Sequence, residues 1–196
     1  MNQRMARISR KTRETDIRIE LNLDGQGRSS IKTGLPFLDH MLELFGKHSL
    51  IDLSITAKGD LAVDAHHTVE DIGLVLGSAL DQALGHRKGI NRYGCSTIPM
   101  DDALSRVVLD LGGRPYLVID MACRKRTSGG FDLSLTKDLL RAFTVQGRLN
   151  LHVTQFSGQE AHHAYESVFK ALAHALRHAC EPDPRRRGIP SSKGRI

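Results

Sequence analysis

At 196 residues, with 40% hydrophobic and 26% charged side chains, the chain has the size and balance of one ordinary globular domain spanning 1–196. No apolar run approaches the roughly 18 residues of a membrane span, and the basic start, Met1 to Arg13, lacks the continuous apolar segment of a secretory leader. The formal charge of +6 reads first as solvated surface and, more sharply, as binding of phosphorylated anions; RNA is less expected, because aromatics are only 5% and tryptophan is absent, leaving few base-stacking surfaces. Neither a nucleic acid nor a membrane is therefore an expected partner. Cys95, Cys123 and Cys180 are odd in number and widely spaced, which argues against a disulfide framework or zinc knuckle and for a reducing, cytoplasmic setting.

From Asp16 the chain alternates apolar and polar through Ile17, Ile19, Leu21 and Leu23 to a turn at Asp24-Gly25, the pattern of a strand. A short strand through Ile31 follows, then Pro36, which suits the opening of a helix over Phe37 to Phe45. Leu50 to Ala57 reads as a strand, and His66 to Leu84 spaces Val69, Ile72, Leu76 and Ala83 along one helical face. The second part repeats the order. Strands are expected at Ala103 to Asp110 and Tyr116 to Met121, a helix at Leu135 to Thr144, a strand at Leu149 to Gln155 and a helix at His162 to His178. The expectation is an α+β fold of two β-β-α-β-α pseudo-repeats, about 7–90 and 91–182, with a basic tail at 183–196 and helices covering the sheets.

Both long helices open on the same motif: His66-His67-Thr68-Val69-Glu70 and His162-His163-Ala164-Tyr165-Glu166. Residues four apart share a helix face, so His66 can converge with Glu70 on one cation and His162 with Glu166 on another. The second histidine of each pair is turned about 100° away, at roughly 3.6 residues per turn, and reaches sideways to a different ion. Two such helices facing each other could hold two cations with ligands from both. The repeat register adds His40 and Asp138, which precede the two motifs by nearly equal intervals near the starts of matching helices. Imidazole and carboxylate in six-coordinate sites fit Mn²⁺ better than tetrahedral zinc, with Fe²⁺ or Co²⁺ as substitutes. The positive end of each helix is expected to depress the histidines there and keep them neutral. The remaining His86, His152, His174 and His178 read as surface or packed histidines.

Single arginines, Arg92 and Arg114, sit in two glycine-containing turns, and Pro190-Ser191-Ser192-Lys193-Gly194 offers hydroxyls and an ammonium for an anion. No Walker loop, dinucleotide fingerprint or G-x-S-x-G elbow occurs. From the residues alone, a dinuclear metal enzyme, a hydrolase of a phosphorylated substrate among them, and a basic RNA-binding or assembly protein with structural metals all stay open.

Phe37-Leu38-Asp39-His40-Met41-Leu42, Asp64 to Asp71, Gly89 to Gly94, Gly113-Arg114-Pro115-Tyr116, His162 to Lys170 and Pro190 to Gly194 together resemble the imidazoleglycerol-phosphate dehydratases of histidine biosynthesis. The resemblance runs from about Arg7 to the end of the sequence. It implies helices between two mainly antiparallel four-stranded sheets, two Mn²⁺ per active site, and trimers assembled into a 24-subunit particle with active sites between subunits. It implies conversion of D-erythro-imidazole glycerol phosphate to imidazole acetol phosphate and water. By position the metal ligands would be His40, His66, His67, Glu70, His162, His163 and Glu166, with Asp138 standing where the family usually has histidine. Substrate-binding positions match Glu14, His48, Arg92, Arg114, Lys170, Ser191, Ser192 and Lys193. Glu14 is also the candidate catalytic acid–base. No D-x-D-G-T phosphatase motif is present, so the resemblance is to the monofunctional form.

Overall fold

The computed structural model describes residues 4–196. Its first part runs β1 (Met5–Lys11), β2 (Thr15–Asn22), β3 (Ser29–Lys32), α1 (Pro36–Ser49), β4 (Asp52–Gly59) and α2 (His66–Leu84). The second repeats that order with β5 (Tyr93–Met100), β6 (Ala103–Asp110) and β7 (Tyr116–Met121). A small hairpin of β8 (Thr127–Ser128) and β9 (Phe131–Asp132) then precedes α3 (Leu135–Gly147), β10 (Asn150–Ser157) and α4 (Ala161–Cys180). The two four-stranded sheets have matching topology, β1-β2-β4-β3 and β5-β6-β10-β7. In each, two neighbouring pairs are antiparallel and the last strand runs parallel to its neighbour.

Strand alternation sends Ile17, Ile19 and Leu21 of β2, and Val107 and Leu109 of β6, inward to meet the helices. The helical stripe Val69, Ile72, Leu76, Ala79 and Leu80 of α2, and Val168, Leu172, Ala175 and Leu176 of α4, is buried against them. Each such large aliphatic side chain contributes roughly 1.5–3 kcal/mol by leaving water. α2 lies on the first sheet and α4 on the second, so the helices fill the space between two sheets, an α+β arrangement.

Each sheet contains an edge strand, β1 or β5, that the hydrophobic pattern did not reveal. β1, MARISRK, is dominated by arginines and lysine, with only Ala6 fully buried. β5 carries Gly94 and Pro99, both unfavourable inside a central strand but tolerated at an edge. Gly94 lies where a Cβ would collide with the carbonyl of Ala175 on α4, so close helix–strand packing overrides strand propensity there.

Helix pairing also departs from expectation. The two motif helices do not face each other: α2 packs on α3 and α4 packs on α1, each against the first helix of the opposite half. Glycine makes the α2–α3 contact close. A Cβ on Gly73 would strike the Leu139 carbonyl, and one on Gly77 would come within 2.5 Å of the Phe143 carbonyl. Replacing Gly73 with alanine is therefore expected to push the helices apart and cost about 1–3 kcal/mol, read as a lowered thermal midpoint. A midpoint unchanged from wild type would show that the contact relaxes freely.

Candidate functional site

The helix pairing builds two ligand sets, each from both halves. His162 and Glu166 lie one turn apart on α4, with His162 Nε2 3.1 Å from Glu166 Oε2. α1 brings His40 into the same group, its Nε2 3.5 Å from that oxygen. The ring centroids of His40 and His162 are 5.2 Å apart, and ligand atoms of all three residues lie within 4.8 Å of one another. His40 is placed by the opening of α1. Pro36 occupies the first turn, and the Asp39 carboxylate accepts from the Thr33 amide at 2.9 Å and its hydroxyl at 2.6 Å.

Lys170, one turn beyond Glu166, lies 2.6 Å from Glu166 Oε1, so one carboxylate oxygen takes the ammonium and the other faces the imidazoles. Burial, at 7% exposure, pushes the Glu166 carboxyl up, but Lys170 and His40 outweigh it and hold the group below the ordinary carboxylate range. His48, two turns along α1, is pushed down by burial and by the nearby charge of Lys170. Its ring lies 5.6 Å from that of His174, a histidine read from the sequence as superficial.

The second set draws on the corresponding helices with a different geometry. His66 Nε2 is 3.9 Å from Glu70 Oε2 on α2, and α3 brings Asp138 Oδ2 to 3.7 Å from His66 Nδ1. Asp138 is the counterpart of His40 in the repeat, but it meets the Nδ1 edge of His66 while Glu70 meets the Nε2 edge, so here the two carboxylates flank one ring. Asp64 Oδ1 accepts from the His66 amide at 2.8 Å, fixing the start of the motif. Both sets are made of imidazole nitrogens and carboxylate oxygens, a donor set suited to a divalent cation.

His67 and His163 point out of these sets, as their angular offset required. His67 Nδ1 is 3.0 Å from Asp60 Oδ2 and 3.8 Å from Glu14 Oε2 in the β1–β2 turn. His163 Nδ1 is 2.9 Å from Asp102 Oδ1, and its Nε2 is 3.4 Å from Asp101, in the matching β5–β6 turn. A carboxylate on one ring nitrogen orients a histidine and raises its basicity as a ligand through the other. Asp60 and Asp102 through these hydrogen bonds hold His67 and His163 above the ordinary histidine range. This corrects the expectation that the helix ends depress them: a direct carboxylate contact outweighs a partial charge. Asp101 and Asp102 went unrecognised because the β5–β6 turn that holds them emerges only once β5 is seen as a strand, and Asp60, just after β4, carried no motif of its own.

The basic groups gather elsewhere. Arg92 pairs with both oxygens of Asp110, at 2.6 and 2.9 Å, and donates to the Pro190 carbonyl at 2.8 Å. It therefore anchors the segment that carries Ser191, Ser192 and Lys193. Gly113 packs near Ile196, so Arg114 and the tail share that end of the second sheet. Within one chain, Arg92, Arg114 and the tail form one group, His48 and Lys170 join the His40 set, and Glu14 joins His67.

The imidazoleglycerol-phosphate dehydratase family model matches residues 33–176. The chain is 50% identical to the imidazoleglycerol-phosphate dehydratase of Thioalkalivibrio sulfidiphilus over all of both sequences. It is 51% identical to that of Kineococcus radiotolerans over 98% of this chain and 99% of that one. It superposes on the crystal structure of the Staphylococcus aureus dehydratase with a TM-score of 0.83 and 38% identity, covering 91% of this chain and 99% of that one. The Pyrococcus furiosus enzyme, solved in complex with (S)-C348, gives a TM-score of 0.83 and 38% identity over 96% and 100%. The chain belongs to the imidazoleglycerol-phosphate dehydratase family, and is a hydro-lyase.

Proposed function

We propose that the chain dehydrates D-erythro-imidazole glycerol phosphate to imidazole acetol phosphate and water, with two Mn²⁺ bound per active site. What supports this reading most is the pair of matched three-residue sets, one of them with all its ligand atoms within 4.8 Å. His40, His162 and Glu166 would hold one ion, and His66, Glu70 and Asp138 the other. When bound, the two ions would act as Lewis acid and template for the substrate's imidazole ring. His67 and His163 lie outside both sets in one chain. Self-association, as a 24-subunit particle of trimers with active sites between subunits, would give them a role as ligands to a neighbouring chain's ions.

The hydrogen to be lost lies on the carbon bearing the middle hydroxyl, where no carbonyl acidifies it. Glu14 Oε2, 3.8 Å from His67, stands beside the ligand groups and is the proposed base for that proton. Loss of the proton and of the hydroxyl next to the ring leaves an enol, which takes up a proton at the ring-side carbon and becomes the ketone. Arg114, Ser191, Ser192 and Lys193 would bind the phosphate, with Arg92 holding the tail in place through Pro190. Lys170 and His48 would contact the substrate from the His40 side. The three free thiols support a reducing, cytoplasmic setting. No helix of the described residues is long and apolar enough to cross a membrane.

Product analysis tests the reading. The expected result is an enolisable ketone that retains its phosphate, and release of inorganic phosphate would favour hydrolysis instead.

A further inference from the structure

The two ligand sets are related by the internal repeat, yet they differ in charge and hardness. His40 of one set is replaced by Asp138 in the other. Glu166 is met one turn later by the Lys170 ammonium at 2.6 Å, whereas the residue one turn after Glu70 is Leu74, which carries no charge. Among the described residues, no lysine or arginine lies within ion-pair distance of Glu70 or Asp138. The His40–His162–Glu166 set thus offers two imidazoles and one carboxylate already partnered by a cation. The His66–Glu70–Asp138 set offers one imidazole and two carboxylates without one.

We infer that the two metal sites are unequal, and that His66–Glu70–Asp138 is the tighter, harder site that fills first. The inference rests on the dimetal reading and deepens it. A dication gains from each uncompensated negative charge within a few ångströms, and oxygen ligands suit Mn²⁺ better than added imidazole does. Each set supplies three side chains, so their charge and ligand type set the relative pull on a dication.

The test is calorimetric titration of Mn²⁺ into the full-length protein, as assembled in solution and stripped with chelator. The expected result is two uptake steps per chain, separated at least about tenfold in affinity, or about 1.4 kcal/mol. Asp138→Asn, nearly isosteric, should weaken the tight step about tenfold or more and leave the weak one in place. Lys170→Met should instead tighten the weak step and leave the tight one. Circular dichroism of the metal-free variants checks that both retain the fold. Two equal steps in the wild type, or an Asp138→Asn variant with both steps unchanged, would overturn the inference while leaving the dimetal reading intact. A wild-type protein that takes up no Mn²⁺ would overturn that reading, and the inference with it.

Discussion

Replacing His162 with alanine is expected to remove one bound metal ion per chain and lower dehydration by about a thousandfold or more. His162 is the hinge of its set. It faces Glu166 Oε2 at 3.1 Å, stacks on His40, and presents its ring to the edge of Phe37 at 5.8 Å between centroids. Alanine leaves His40 and a Glu166 that Lys170 already holds, too little to keep a divalent ion against water. A metal-derived Lewis-acid contribution of several kcal/mol corresponds to a loss of that order. His66→Ala should behave alike at the other set, where Glu70 and Asp138 remain. Metal analysis beside a rate assay checks both. Full metal content and a wild-type rate in either variant would sink the assignment of that set.

The second large effect concerns stability. Arg87 lies just beyond α2, in the connection between the two halves, and is only 2% exposed. Its guanidinium donates to the carbonyls of Leu111 at 2.8 Å, Arg148 at 3.0 Å and Gly147 at 2.8 Å, and pairs with Asp81. One side chain thereby ties the end of α2 to the ends of β6 and α3. Alanine would leave three carbonyls without this donor, and Asp81 with only the more distant Arg148 at 3.7 Å. Breaking a buried charge network costs about 3–5 kcal/mol. In a chain of this size that lowers the melting temperature by roughly 10 °C or more. A melt within about 2 °C of wild type would show that the network is replaceable.

What could be read from the sequence followed the strength of each local signal. α2 was legible from end to end because its apolar stripe is long and its first residues are chemically distinctive. β6 and β7 were legible from alternation and the glycine-rich turn between them. β1 and β5 were not, because edge strands need little apolar surface and β5 accepts Gly94 and Pro99. Missing β5 hid Asp101 and Asp102 in the turn after it. The motif arithmetic correctly put His66 with Glu70 and His162 with Glu166, since helical periodicity is local. It misjudged which helices meet, because that depends on small residues such as Gly73 and Gly77, whose packing partners lie far along the chain. The repeat register nominated His40 and Asp138, and each lies beside the motif of the opposite half.

The most direct test of a doubled metal centre serving one dehydration is elemental analysis of the purified protein alongside assay on D-erythro-imidazole glycerol phosphate. A doubled metal centre requires two metal ions per chain, and ketone formation that disappears on chelation and returns with Mn²⁺. Ketone formation at full rate by metal-free protein, or two bound ions with no ketone formed, would contradict it.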